Sequence, residues 1–471
     1  MDTGEKTECI ALIARTSYSL KAILRLFIPL LLVLAAACAL LTKMGTDRVT
    51  LAQGEYTTIS ANPSAPYPVV VATIPLSVPS PLSHAVVAVN PTTDYAYVLA
   101  HTQYLYPHAN LMIISGTEVI SSSVSGNYGG ALAVNPTLGH VYMPVVGGVA
   151  VISGTEVVEV MPIEGPLTGR AIGVEPHSGH IYVDGYDWFT ACIPEVQWCG
   201  GIVWVFANGG STRLDVGGGV GAIGVNPATG YAYATCQTGG LLDFRYTVVI
   251  HGTGEISQVH SFGEAIGVNP DDGYVYIAEA DQNRVHVLSG TQIVQTLTTD
   301  MEPRAIGVNP HTGYVYVANT GSNNVTIISK TQVITTLTVG LKPEAIGVNP
   351  KSGYIYVANA GNDTLSVISG TQVIWTISAG HAPGAVGVNP DAGYAYVVNY
   401  DDATILVMHE MILPHRAYLP LIIKHYSTTP QTQTELKGHR NPFSEPISGD
   451  SLSSRAGWFS SASLRANGRY R

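Results

Sequence analysis

The chain has 471 residues and a net charge of -11, with 46% hydrophobic residues, only 12% charged residues and 50 glycines. An acidic chain repels a polyanionic backbone unless its few cations cluster, and within the repeats described below they do not, so no nucleic-acid partner is expected. So much glycine with so little charge suits an all-β fold with many tight turns.

Arg15, Lys21 and Arg25 precede an uninterrupted apolar run over residues 26–41, LFIPLLLVLAAACALL. A cationic lead before an apolar core is the layout of a signal peptide. As a helix the run would reach about 24 Å, short of the roughly 30 Å hydrocarbon core of a bilayer. Residues 1–41 are therefore expected to be a signal peptide or membrane-anchor segment, and membrane contact is expected only there. Ala35 and Ala37 permit cleavage before Cys38, which sits in a run resembling the bacterial lipoprotein box, although Ala35 stands where Leu is usual. Lipidation of Cys38 is the alternative to its removal with the leader.

Residues 42–67 show no sustained periodicity and end in Asn-Pro and Pro-Tyr-Pro, as a linker does. Residues 69–78, VVVATIPLSV, match the fourth apolar run of a unit that then repeats along the chain. That unit is clearest from Glu264 to Gly380. Its four short runs, as in AIGVN, YVYVAN, VTIIS and QVITTLTV, are rich in Val, Ile, Thr and Tyr and closed by Asn, Gly, Pro or Asp. Such a unit is a four-stranded antiparallel sheet, and a period near 40 residues with four strands marks a β-propeller blade.

Eight first-strand motifs end at Asn90, Asn135, Glu175, Asn226, Asn269, Asn309, Asn349 and Asn389, spaced 45, 40, 51, 43, 40, 40 and 40 residues apart. The last unit stops before its fourth strand, while residues 69–78 are a fourth strand with no unit before them. The sequence thus predicts an eight-bladed propeller over residues 68–409, closed by the N-terminal strand pairing beside Ile405. Seven blades, with a divergent unit outside the ring, is the alternative.

Turn chemistry supports this register. In V-N-P-x-x-G-Y, as at Asn309, Pro310, Gly313 and Tyr314, Asn can cap the turn, Pro presets φ and Gly takes the left-handed conformation. Gly219, Gly221 and Gly224 spell GxGxxG, but the motif opens a strand and offers no helix N-terminus for a pyrophosphate, so no dinucleotide is expected. Alternating pairs such as Tyr314 and Tyr316 fit packing between blades better than a ligand site.

The runs Tyr316-Val317-Ala318-Asn319 and Tyr356-Val357-Ala358-Asn359, each following NPxxGY, resemble the YVTN family of 40-residue β-propeller repeats. The resemblance is strong across units 5 to 8, fair in 1 and 2 and looser in 3 and 4. It implies a secreted or surface-layer bacterial propeller, a binding or scaffold module without assigned catalytic residues. Glu175 in place of Asn, and Tyr97-Val98-Leu99-Ala100 without its final Asn, are departures expected to weaken local turns.

Function is expected where the repeats differ. Connections between second and third strands and those between blades share one propeller face, and the former are expanded in units 1, 3 and 4. They carry Tyr104 and Tyr106, then Tyr186, Trp188, Phe189 and Trp198, then Phe244 and Tyr246, with Trp204 close behind the second set. Such loops carry binding in many folds, and exposed aromatics supply contact area, so an aromatic lip for a glycan, peptide or protein is one reading. Mutual packing of long loops is the other. Cys192 and Cys199 flank the unit 3 insert and are expected to form a disulfide in an exported chain, with Cys236 the competing partner. Arg170, Glu264, Arg304 and Glu344 each enter a first strand; Glu264, Arg304 and Glu344 are expected to pair across neighbouring blades, and contact of the four with a polar ligand at the inner mouth is the alternative.

No G-x-S-x-G, H-E-x-x-H or G-x-x-x-x-G-K occurs, and no catalytic residue, metal site or cofactor is expected. A metal-dependent propeller lactonase or lyase is the alternative class, because such sites leave no linear motif. Residues 410–427 form an apolar extension broken by Pro414 and Pro420, and residues 428–471, rich in Ser, Thr and Arg, are expected to be a disordered tail. The expected product is a secreted or cell-surface binding or scaffold module whose partner is a protein, a peptide or a cell-wall glycan, with a surface-layer component as its sister possibility.

Overall fold

A computed structural model of the chain describes residues 66–78, 80–102, 109–124, 129–165, 167–187, 200–238 and 244–411. The expected leader with Cys38, the expected linker up to residue 65 and everything after residue 411 lie outside these residues. Within them are eight four-stranded antiparallel sheets, one 3-10 turn at Ala280–Gln282 and no α-helix. Blades 1 to 7 occupy residues 82–124, 133–162, 167–215, 219–259, 265–298, 303–338 and 343–378, each with its strands in chain order.

Blade 8 is assembled from both ends of the repeat region. Pro383–Asn389, Tyr394–Asn399 and Thr404–Met411 supply three strands, and Tyr67–Pro75 adds the outer one. The pairing runs from Tyr67 opposite Met411 to Ile74 opposite Ile405 and Pro75 opposite Thr404, with a bulge between Val70 and Ala72. The eight-bladed ring and its closure by an N-terminal strand are as the repeat arithmetic predicts. The physical reason is that an unpaired edge beside Thr404–Met411 would leave a row of backbone groups and the apolar side of that strand without partners.

Second and third strands read as nearly continuous apolar runs because both of their faces are covered by neighbouring blades. In blade 6, Tyr314–Asn319 and Asn324–Ser329 are buried almost throughout, whereas the outer strand Gln332–Thr338 is mostly exposed. The core is therefore a circle of interfaces: Tyr316, Val325 and Ile327 of blade 6 pack with Ile355, Val357 and Ile368 of blade 7. In blades 1, 4 and 6 the second tyrosine of the pair anchors the contact. The hydroxyls of Tyr97, Tyr233 and Tyr316 donate to the carbonyls of Gly154, Gly290 and Gly370, each in the next blade's outer turn, at 2.7 to 3.0 Å.

Blade 8 has no such turn, because its outer strand arrives from elsewhere in the chain. Glu410 takes over the role: its Oε1 accepts from Tyr356 Oη at 2.6 Å, Asn349 Nδ2 at 2.9 Å and Ser352 Oγ at 3.1 Å. Tyr354 Oη donates to the Pro66 carbonyl at 2.7 Å, and Tyr67 packs against Trp375. The N-terminal strand is thus held to blade 7 as well as to blade 8.

The Asn-Pro turns behave as their sequence implies and also join blades. Asn309 Oδ1 accepts from the backbone of His311 and Thr312, and Gly313 sits at φ 69° with its N–H on the Asn309 carbonyl. Meanwhile Asn90 and Asn226 reach the carbonyls of Gly139 and Gly273 in the following blade.

Glu175 does not weaken its turn. Its carboxylate does the capping that Asn does elsewhere, accepting from the backbone N–H groups of His177 and Ser178, with the His177 ring 3.1 Å away. Burial alone would raise its pKa, but these hydrogen bonds prevail and hold it at about 2. Because the folded value lies below the unfolded one, the stabilisation is complete above about pH 4.5 and is lost as pH falls toward 2. Replacing Glu175 by Gln should cost about 1–2 kcal/mol at pH 7, a figure reduced because a Gln carbonyl oxygen can still accept from these N–H groups, and the two proteins should converge near pH 2. Urea unfolding at pH 7, 4 and 2.5 checks this; an unchanging gap between the two would refute the assignment.

Candidate functional site at the axial mouth

The innermost strands converge so tightly that a glycine is needed where they touch. A Cβ on Gly307 would lie 2.4 Å from Ile346 Cγ2 of the next blade, and Gly173, Gly224, Gly267, Gly347 and Gly387 meet the same restriction. Gly224 is the last glycine of the GxGxxG run, so that motif records close backbone packing. No helix follows it: the run lies in and leads through strand Gly219–Asn226.

Around this tight ring the first strands begin with a bulge. In blade 6, Pro303 pairs with Asn319 and Ala305 with Ala318, which leaves Arg304 as the extra residue. Glu344 in blade 7, Gly384 in blade 8 and Gly221 in blade 4 occupy the same bulge. A bulge leaves its residue outside the ladder and re-aims its side chain. In blade 5 the ladder starts at Ala265, and Glu264 holds the corresponding position with its N–H on the Ala278 carbonyl at 3.0 Å. In blade 1 the shift falls earlier, between Leu82 and His84, so Ala85 stays in the ladder and is buried.

Glu264, Arg304 and Glu344 consequently line one cavity of about 360 Å3, whose wall continues through Ala, Val and Ile of the first strands. Arg170 is exposed at its strand and does not line it. The cross-blade pairing expected of the three charged residues is absent among the described residues: Arg304 Nε meets Glu302 Oε2 of its own blade's entry at 3.4 Å, and Glu264 Oε2 accepts from the Ala280 N–H at 3.1 Å. The reason is geometric. Bulged residues point toward the axis, while Glu302, two residues earlier, lies beside the guanidinium.

Behind Gly384, itself part of the lining, stands Tyr400, which sequence reasoning missed. Its ring fills the space beside Gly384, where a Cβ would approach within 2.6 Å, and its hydroxyl lies 3.2 Å from the Gly384 carbonyl and 3.3 Å from the Ala85 carbonyl. Burial, aided by the nearby Glu344 charge and opposed by the Ala85 hydrogen bond, pushes its pKa up to about 12. A signal was present: Tyr400 follows the second-strand Asn where units 6 and 7 carry Thr320 and Ala360, opposite a glycine in place of Arg304 or Glu344.

The connections flanking the mouth do share a face. Thr320 and Gly321, between second and third strands, donate to Glu302 and Met301, between blades, and Leu341 N–H meets Asn362 Oδ1 at 2.9 Å in the next unit. Of the proposed aromatic lip, Phe244 is 53% exposed at the stem of its loop, pinned by hydrogen bonds to Thr238. Tyr246 instead packs on the interface between blades 3 and 4, with its hydroxyl on the Val216 carbonyl. Tyr186 lies on strand Ile181–Asp187 opposite Gly201. Tyr104, Tyr106, Trp188, Phe189, Trp198, Cys192 and Cys199 lie outside the described residues. Trp204 is core, buried between blades 2 and 3, and Cys236 is buried in strand Tyr231–Gln237.

Beside Phe244, Arg245 lies over the Phe262 ring at 5.3 Å and bonds Asp281 at 2.7 Å, which ties blade 4 to blade 5 on this face. Among the described residues no three His, Cys, Asp or Glu side chains converge as a metal-holding group, and no helix is long and apolar enough to cross a membrane.

No protein-family model matches the chain, and no curated protein matches it. Among solved structures it is similar to the Kuenenia stuttgartiensis hydrazine synthase, at 16% identity and a TM-score of 0.44 over 60% of this chain and 95% of that one. It is also similar to a functionally unknown protein from Desulfotomaculum acetoxidans DSM 771, at 12% identity and a TM-score of 0.35 over 42% of this chain and 69% of that one. At these scores neither likeness carries an argument about function.

Proposed function

We propose that this chain is an exported, cell-surface binding module of the YVTN repeat type, and not an enzyme, whose loop-bearing face takes a peptide, protein or glycan partner. The eight-bladed fold suits a binding or scaffold role in general. The observation that favours this face is the meeting of Glu264, Arg304 and Glu344, from three successive blades, at one cavity of about 360 Å3. Nothing in the ladder requires charge at these bulges, since blades 4 and 8 carry glycine there. Phe244, exposed on the same face, extends the surface outward. The arginine-bearing leader and its apolar core support export.

A screen of immobilised peptides and cell-wall glycans tests the reading. Intact protein should retain ligand, the pair Glu264→Gln and Glu344→Gln should lose at least tenfold in affinity, and Phe244→Ala should lose severalfold. Retention unaffected by all three substitutions, in variants that melt like the parent, would place the binding surface elsewhere.

A further inference from the structure

Resting on the reading that the axial mouth is a ligand site, we infer that its ligand is a small zwitterion, an ammonium and a carboxylate on one compact molecule such as a short peptide. The sign pattern carries this. Around the mouth the order is carboxylate, guanidinium, carboxylate on blades 5, 6 and 7, followed by the neutral Gly384 and Ala85 on blades 8 and 1.

A simple cation entering this arc would meet Arg304, and a simple anion would meet Glu264 and Glu344 on either side. A molecule carrying both charges satisfies all three. Each group keeps capacity for it. Arg304 commits Nε to Glu302 at 3.4 Å, which leaves its two terminal nitrogens for a bidentate carboxylate. Glu264 uses Oε2 for the Ala280 N–H, and Glu344 makes no ion pair among the described residues. An ammonium, with three donors and no acceptor, matches carboxylates that only accept.

The size and lining agree. A cavity of about 360 Å3 is at the small end of ligand pockets, room for a dipeptide or less. Below the three charges the wall is Ala, Val and Ile, which suits short aliphatic side chains and offers no ring on which a sugar could stack.

Calorimetric titration of the full chain with alanylalanine, its N-acetyl derivative, its C-terminal amide and the neutral sugar chitobiose tests the inference. Alanylalanine should bind at one site per chain, and blocking either end should weaken binding at least tenfold. Arg304→Gln should weaken alanylalanine at least tenfold while leaving the melting temperature unchanged, since the side chain is exposed. Equal binding of the blocked dipeptides, or no binding of alanylalanine, overturns the inference. Chitobiose bound in a manner sensitive to Glu264→Gln and Glu344→Gln would also overturn it, yet leave the mouth as the site. Binding that responds to Phe244→Ala and to no mouth substitution would overturn the inference and remove the mouth as the site, while keeping the loop-bearing face as the binding surface.

Discussion

A chain starting at Ser80 should fail to give a cooperative unfolding transition, whereas one starting at Asn62 should melt like the parent. The missing segment supplies the outer strand of blade 8, with Ile74, Leu76 and Val78 buried against Val398, Ile405 and Val407. Burial of three such side chains contributes roughly 5–8 kcal/mol, comparable with the whole stability of an ordinary domain. Its removal also strips the backbone partners along one edge of Thr404–Met411 and leaves Tyr354 Oη without the Pro66 carbonyl. Partial restoration by a synthetic peptide of residues 66–78 would show that pairing, not chain length, is at stake. A Ser80 chain that melts within a few degrees of the parent would contradict the role given to this strand. Differential scanning calorimetry and size-exclusion chromatography are the measurements.

Replacing Gly307 by Val should destabilise the protein by about 3 kcal/mol, at the upper end of overpacking costs. Its backbone φ is not in the left-handed region, so the cost is steric: even a Cβ would sit 2.4 Å from Ile346 Cγ2 and 2.9 Å from Val348 Cγ2. Shortening the obstacle with Ile346→Ala in the same chain should recover at least 1 kcal/mol beyond additivity, because the two sites share one space. Additive losses in chemical denaturation would mean that the glycine serves some other purpose. The same crowding recurs at five further glycines around the ring, so tolerance at Gly307 would count against the packing account of all six.

Much of this architecture is legible in one dimension because the signals are local. Val-rich runs closed by Asn-Pro, or by Glu-Pro in unit 3, recur every 40 to 51 residues, and each carries its own turn instructions, so strand number and blade number follow from counting. The complement between residues 69–78 and the truncated last unit reveals the seam for the same reason, although the strand itself runs Tyr67–Pro75. Gly313 and Glu175 show where local reading stops. Gly313 could be assigned its φ from the turn alone, but Glu175 looked like a defect until its carboxylate was seen capping the turn.

The site divides along the same line. Alignment places Glu264, Arg304 and Glu344 in one column, and a column of a closed repeat becomes a ring around the axis. The same alignment also puts Arg170 and Ala85 in that column, yet Arg170 does not line the cavity and Ala85 is held in the ladder by a bulge displaced to Ser83.

What the sequence determined by itself is the eight-fold repeat, the four strands of each blade and the open edge that an N-terminal strand fills, since hydrophobic period and turn residues act over a few neighbours. Only the tertiary structure decided which side chains meet at the axis, that Tyr400 stands behind Gly384, and that Glu410 replaces a missing turn. Those outcomes depend on bulge positions and on contacts between blades far apart in the chain, 315 residues between Ala85 and Tyr400, and no local pattern encodes such distances.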